Sequence, residues 1–205
     1  MRIAILGATG KVGHLIVEQA LGRNHQVVAL VRKPDEYIQP ANGSVDARYA
    51  DVTKPDSFTN LADVDVIISA LGISKGDGPG TLIAGAKVLT RQPARVLWLG
   101  ALGSGTSAGA GGGVYQGMMK MFVGRELEEK AAADAIALAG GALVFHAPDL
   151  WVGGVSEARR SVPLQDYRKP FLPPHASRAT VAAVILDEAE KSTSGGRILV
   201  PAAGA

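Results

Sequence analysis

The chain has 205 residues, 47% of them hydrophobic and 20% charged, which is too apolar for a disordered polymer and suits one globular domain over residues 1–205. It has no cysteine, which removes a disulfide scaffold, thiolate nucleophiles and cysteine zinc sites. The 21 Lys and Arg against 19 Asp and Glu leave a formal charge of +2, and the basic residues are scattered, so nucleic acid is not an expected partner.

In chain order, the apolar opening 2–6 reads as a strand. It reaches glycine after too few apolar residues for a signal peptide, and no run approaches the roughly 18 needed to span a bilayer, so the expectation is a soluble cytoplasmic protein with no membrane partner. The segment Gly7-Ala8-Thr9-Gly10-Lys11-Val12-Gly13 then opens a helix over 11–21, with Val12, Leu15, Ile16 and Gln19 on successive turns and Gly22 near its end. Glycines here let the backbone turn sharply and approach a diphosphate, while helix N-terminal amides face its charge. The segment lacks the Gly-Lys-Ser/Thr ending of a nucleotide-triphosphate loop, which disfavours ATP.

Strands follow over 26–31, 47–50, 64–70, 95–100, 142–146 and 197–200, with helices over 55–61, 81–90, 116–139 and 177–191. In the helix over 116–139, Met119, Phe122, Val123 and Leu127 recur at helical spacing and predict a core face. Strand and helix alternation predicts an α/β fold, a doubly wound parallel sheet of the Rossmann-like NAD(P)-binding kind, with its ligand crevice at the carboxyl ends of the strands where their order reverses. The stretch 151–174 holds four prolines and little periodicity, and reads as a substrate-side insertion.

The end of the second strand carries Arg32-Lys33 where NAD-specific sites commonly place a carboxylate. A guanidinium can fork onto a 2′-phosphate, which predicts NADP(H) over NAD(H), with Lys11 assisting. The alternative is a solvated pair of cations. Between Gly100 and Gly117, 8 of 18 residues are glycine, which predicts either a mobile lid over the site or a surface loop without a role. No histidine spacing forms a metal motif, so no metal is expected.

On these residues the chain resembles the atypical short-chain dehydrogenase/reductase superfamily, in particular the small NAD(P)H-binding, NmrA-like proteins that include flavin and biliverdin reductases. The resemblance rests on the strand and Gly-Ala-Thr-Gly-x-x-Gly over 3–13, the second strand over 24–32, Asp51-Val52, and the Ser177-Arg178 start of the last helix. It implies that Gly7, Thr9, Gly10, Lys11, Val12 and Gly13 hold the diphosphate, that Asp51 and Val52 meet the adenine, and that Ala70, Leu71 and Gly72 line the nicotinamide ribose. Asp51 read alone is equally a turn acid before Thr53.

None of the four tyrosines has a lysine four places on, as the main branch of that superfamily uses. The catalytic candidates are therefore Ser104 after the fifth strand and Tyr115 in the glycine-rich stretch. Lys130 matches the resembling family's helix lysine, with Asp134 four residues on. His146 stands where that family shows arginine and can donate a proton near neutral pH. Glu126, Lys130 and Asp134 read equally well as helical ion pairs. The expected activity is an NADPH-dependent reductase moving hydride to a small flavin, quinone or ketone. The alternatives are a non-catalytic NADP(H) sensor and, last, a sugar-nucleotide epimerase; oligomeric state is left open.

Overall fold

A computed structural model describes residues 1–74, 76–191 and 195–203. Among these, eight strands form one sheet in the order β3-β2-β1-β4-β5-β6-β10-β8. The strands are β1 (Arg2–Leu6), β2 (Gln26–Val31), β3 (Asp46–Tyr49), β4 (Val66–Ser69), β5 (Arg95–Ala101), β6 (Leu143–Ala147), β8 (Arg160–Pro163) and β10 (Arg197–Ala202). All pair in parallel except β8, which runs antiparallel to β10 at the edge. This is the doubly wound α/β fold that the alternation predicts.

Alternating side chains of the buried strands feed two apolar layers. Ile3 and Ile5 face one core with α1 (Gly13–Gly22) and α4 (Arg178–Ala189), supplied by Ile16, Val17, Val181 and Ile185. Ala4 and Leu6 face the other with α2 (Thr81–Leu89) and α3 (Gly113–Ala139), supplied by Leu82, Leu89, Ala133 and Ala137. Period-2 strands between period-3.6 helix faces require this sandwich. Strand order reverses between β1 and β4, whose last residues Leu6 and Ser69 lie side by side, so the chain diverges there and opens a crevice.

Two of the expected helices need correction, and strands appear that periodicity does not show. The helix over 55–61 is a single 3-10 turn, Pro55–Ser57, because so short a segment cannot sustain itself and the Asn60 side chain takes the amide of Ala62. The stretch 151–174 supplies the edge strand β8, where Pro163 costs no ladder bond that a central strand would need. Two short parallel strands, β7 (Asp149–Trp151) and β9 (His175–Ser177), are too brief to leave a periodic signal. Helix α3 begins inside the glycine-rich stretch and breaks at Gly124, whose backbone is non-helical. Met119, Val123 and Leu127 are half-buried on it, while the Phe122 side chain lies outside the described residues.

The far ends of α1 and α4 are joined by charge. Arg23 meets Asp187 at 2.9 Å and Glu190 at 3.2 Å, and Arg159 meets Asp187 at 2.8 Å. Burial works against ionisation of Asp187, but hydrogen bonds from Arg159 and Arg23 prevail and its pKa lies below the ordinary 3.8. Glu190 is likewise held below 4.5, with burial outweighed by His25 and Arg23. Because both folded-state values are depressed, this stabilisation is full above the ordinary carboxylate values and is lost as pH falls through the folded ones. Melting temperature should therefore fall as pH drops below about 4.5, and fall less steeply in Arg23→Gln; parallel pH profiles of the two proteins would contradict this.

Candidate dinucleotide site

A cavity of about 800 Å³ lies at the carboxyl ends of β1, β2, β4, β5 and β6. Its floor begins at the turn between β1 and α1. Gly7 has a left-handed φ of +81°, and a Cβ there would sit 2.7 Å from the Ala70 carbonyl oxygen. A Cβ on Gly13 would come 2.0 Å from the Gly7 carbonyl oxygen. Side chains are thus excluded by backbone, and the strand-to-helix turn is drawn tight, closed by the Gly10 amide donating to Gly7. Helix α1 has no side-chain cap and no acidic residue in its first turn. A helix start of this kind attracts an anion, because it carries the positive end of the helix dipole. A small-residue turn, an uncapped helix start and an adjoining cavity of this volume fit a dinucleotide.

Gly7, Thr9, Gly10, Lys11 and Val12 all line the cavity, and Gly13 stands behind them, supporting the turn. Arg32, Asp51, Val52, Ala70, Leu71 and Gly72 line it as well. Lys33 does not belong to the lining; it points into solvent and pairs with Glu36 at 2.9 Å. A 3-10 turn at Pro34–Glu36 presents that acid three residues on. Asp51 is both a wall residue and a turn acid: its Oδ1 accepts from the Thr53 hydroxyl at 2.6 Å and the Thr53 amide at 3.0 Å. Those bonds, the hydroxyl's foremost, hold the Asp51 carboxyl below its usual range.

The other end of the cavity is walled by Leu99, Gly100, Ala101, Ala147 and Pro148, with Glu126, Lys130 and Arg178 adding charge. Lys130 is the one catalytic candidate among the lining residues. Ser104 is fully buried: its hydroxyl lies 2.7 Å from the Ala101 carbonyl oxygen and 2.9 Å from Asp134 Oδ2. Tyr115 is buried against Leu102 and Val200, since the helix starts early enough to turn it into a small satellite core. Burial pushes its phenol far above the ordinary 10, with Asp149 and Tyr167 adding to the shift, which is the reverse of activation.

His146 is also fully buried. Its Nδ1 lies 2.6 Å from the Ser107 hydroxyl and its Nε2 lies 3.1 Å from Asp134 Oδ2. Trp98 Nε1 donates to Asp134 Oδ1 at 2.8 Å. Asp134 is therefore the centre of a buried polar network beneath the cavity floor and no partner of Lys130 on the helix surface. The glycine-rich stretch is tied to this network: the Gly103 amide donates to Ser107, and Gln116 bonds both Gly103 and Gly109. Beyond Ala101 none of that stretch is among the lining residues.

Sequence reading missed Asp77, Glu126 and Arg178 as wall residues. Arg178 carried a signal in the Ser177-Arg178 helix start. Asp77 lies in Gly76-Asp77-Gly78-Pro79-Gly80, where turn composition hides it. No group of three metal-ligating side chains occurs among the described residues, and none of their helices is long and apolar enough to cross a membrane.

A chain with this sheet, glycine turn and crevice has the form of a nicotinamide-dinucleotide binder. Residues 7–192 match the NAD(P)H-binding family, and the protein belongs to it. Among solved structures it is similar to the oxidoreductase YlbE from Lactococcus lactis, at 19% identity over 100% of this chain and 91% of that one, with a TM-score of 0.75. A candidate NADH-flavin reductase from Streptococcus pneumoniae aligns at 20% identity over 100% of both chains, with a TM-score of 0.73. The anaerobillin reductase ChuY from Escherichia coli O157:H7 aligns at 18% identity over 99% and 97%, with a TM-score of 0.72. The uncharacterized protein YwnB of Bacillus subtilis is 27% identical over 108 residues, and this chain spans about half the length of that curated relative, 49%.

Proposed function

We propose that this protein is an NADPH-dependent reductase that delivers hydride to a small, largely apolar acceptor such as a flavin, quinone or ketone. The observation that carries the reading is the continuity of one cavity, from the glycine turn and Arg32 to the walls formed by Leu99, Ala101, Ala147 and Pro148. In such a site the nicotinamide supplies the hydride. The chain's share is to bind, orient and exclude water. The turn over 7–13 would anchor the diphosphate, Arg32 would fork onto the 2′-phosphate, and Asp51 with Val52 would border the adenine. The apolar walls at the far end would hold the acceptor ring against the cofactor. Lys130 Nζ is the proton-bearing group among them suited to charge developing on the acceptor.

A sensor that binds NADP(H) without turning it over has one observation in its favour: Ser104, Tyr115 and His146 are all sequestered from the cavity. Flavin and quinone acceptors can take protons from solvent, which keeps the reductase reading ahead. The test is acceptor-dependent loss of reduced nicotinamide absorbance, screened over flavins, quinones and ketones. Turnover is expected with at least one acceptor, and Arg32→Ala should raise KM for NADPH about tenfold while leaving NADH little changed, the size of one charge-assisted bond pair. Tight binding of NADPH without oxidation by any acceptor would replace the reductase with the sensor.

A further inference from the structure

Arg32 is not an idle cation. Its Nη1 donates to Asp77 Oδ1 at 2.8 Å, so the cavity carries its own carboxylate beside the cation that follows β2. That carboxylate comes from the loop after β4 rather than from the end of β2. Asp77 Oδ2 accepts from the Ser74 amide at 2.7 Å, and the Asp77 amide donates back to the Ser74 carbonyl at 2.9 Å. The side chain of Asp77 is 8% exposed, that of Arg32 63%. Asp77 is therefore the fixed member of the pair, and Arg32 the one with room to turn. Both line the cavity.

From this geometry we infer that Asp77 and Arg32 together set the choice between NADH and NADPH, with Asp77 the residue that reads an unphosphorylated ribose. The inference rests on the dinucleotide reading of the cavity. An ionised carboxylate offers about four acceptor positions, of which Arg32 and Ser74 use two, so ribose hydroxyls can donate to the remainder without breaking the ion pair. A 2′-phosphate makes the opposite demand. It draws the guanidinium towards itself and brings like charge close to a buried carboxylate that has just lost its partner. Asp77 accordingly favours NADH and weakens NADPH, while Arg32 favours NADPH and is nearly neutral towards NADH. The preference for NADPH expected from Arg32 alone is thereby reduced.

The experiment is calorimetric titration of NADPH and NADH into wild-type protein, Asp77→Asn and Asp77→Ala. Asparagine can still accept from the Ser74 amide, so the loop keeps its turn, while the charge is gone. In both variants the NADH dissociation constant should rise about tenfold, the size of one hydrogen bond to a charged group, and that of NADPH should hold or fall. If the two cofactors shift together, or neither shifts, Asp77 does not read the ribose and the inference fails while the site stands. Binding of neither cofactor to wild-type protein would remove the dinucleotide reading itself and this assignment with it.

Discussion

Gly13→Ala is expected to abolish dinucleotide binding in a protein that still folds. The added Cβ would fall 2.0 Å from the Gly7 carbonyl oxygen and 2.7 Å from its carbonyl carbon, and both belong to backbone that cannot rotate away. Relief requires the β1–α1 turn to open by an ångström or more. The same movement takes the α1 amides out of register with a diphosphate, and displacements of that size cost on the order of 100-fold in well-aligned sites. Cores on both faces of the sheet do not involve this contact, so cooperative unfolding should survive at a lower melting temperature. Gly22→Ala is the control, since a Cβ there meets nothing within 4 Å and should leave both binding and stability intact. Titration calorimetry alongside thermal melting separates the two effects. Wild-type affinity in folded Gly13→Ala would mean that the turn does not hold the cofactor.

The parts of this site that sequence makes legible are those written locally. A strand, three glycines and a helix within 22 residues state the diphosphate turn, because geometry and residue type are coupled over that short span. Arg32 is legible for the same reason, being the first residue after an apolar strand. Lys33 beside it has the same charge, but its neighbour Glu36 captures it. What sequence does not reveal is pairing across long separations. Glu126, Lys130 and Asp134 have the spacing of surface ion pairs, yet Asp134 turns inward, where its oxygens accept from Trp98 on β5 and Ser104 in the loop after it and lie 3.1 Å from His146 Nε2 on β6. Tyr115 looks available until α3 is seen to begin at Gly113, which rotates the ring into the core. Asp77 has no periodic context at all, and only the fold brings it to Arg32 across 45 residues.

The second large effect should come from Asp134→Ala, as a loss of stability rather than of chemistry. Asp134 is 4% exposed, and its carboxylate accepts from the Trp98 indole and the Ser104 hydroxyl, with His146 Nε2 3.1 Å from its Oδ2. Truncation leaves the Trp98 indole N–H buried without its acceptor, plus a void where the carboxylate stood. Removing one member of a buried charged network costs about 3–5 kcal/mol, which in a chain of this size lowers the melting temperature by on the order of 10 °C. Ser104→Ala should cost far less, about 1 kcal/mol, since it deletes one donor and leaves Asp134 its other partners. Gly100→Ala should resemble Asp134→Ala, because the new Cβ would lie 2.5 Å from Asp134 Oδ1 and force the carboxylate out of its place. This ordering distinguishes a structural network from a catalytic one. If Ser104 donated a proton to the acceptor, Ser104→Ala would keep its melting temperature and lose kcat; the buried geometry predicts a slightly less stable protein with kcat intact. Thermal melts of the three variants, read with turnover, decide between them. Asp134→Ala melting within a degree or two of wild type would show that the network does not hold β5, β6 and α3 together.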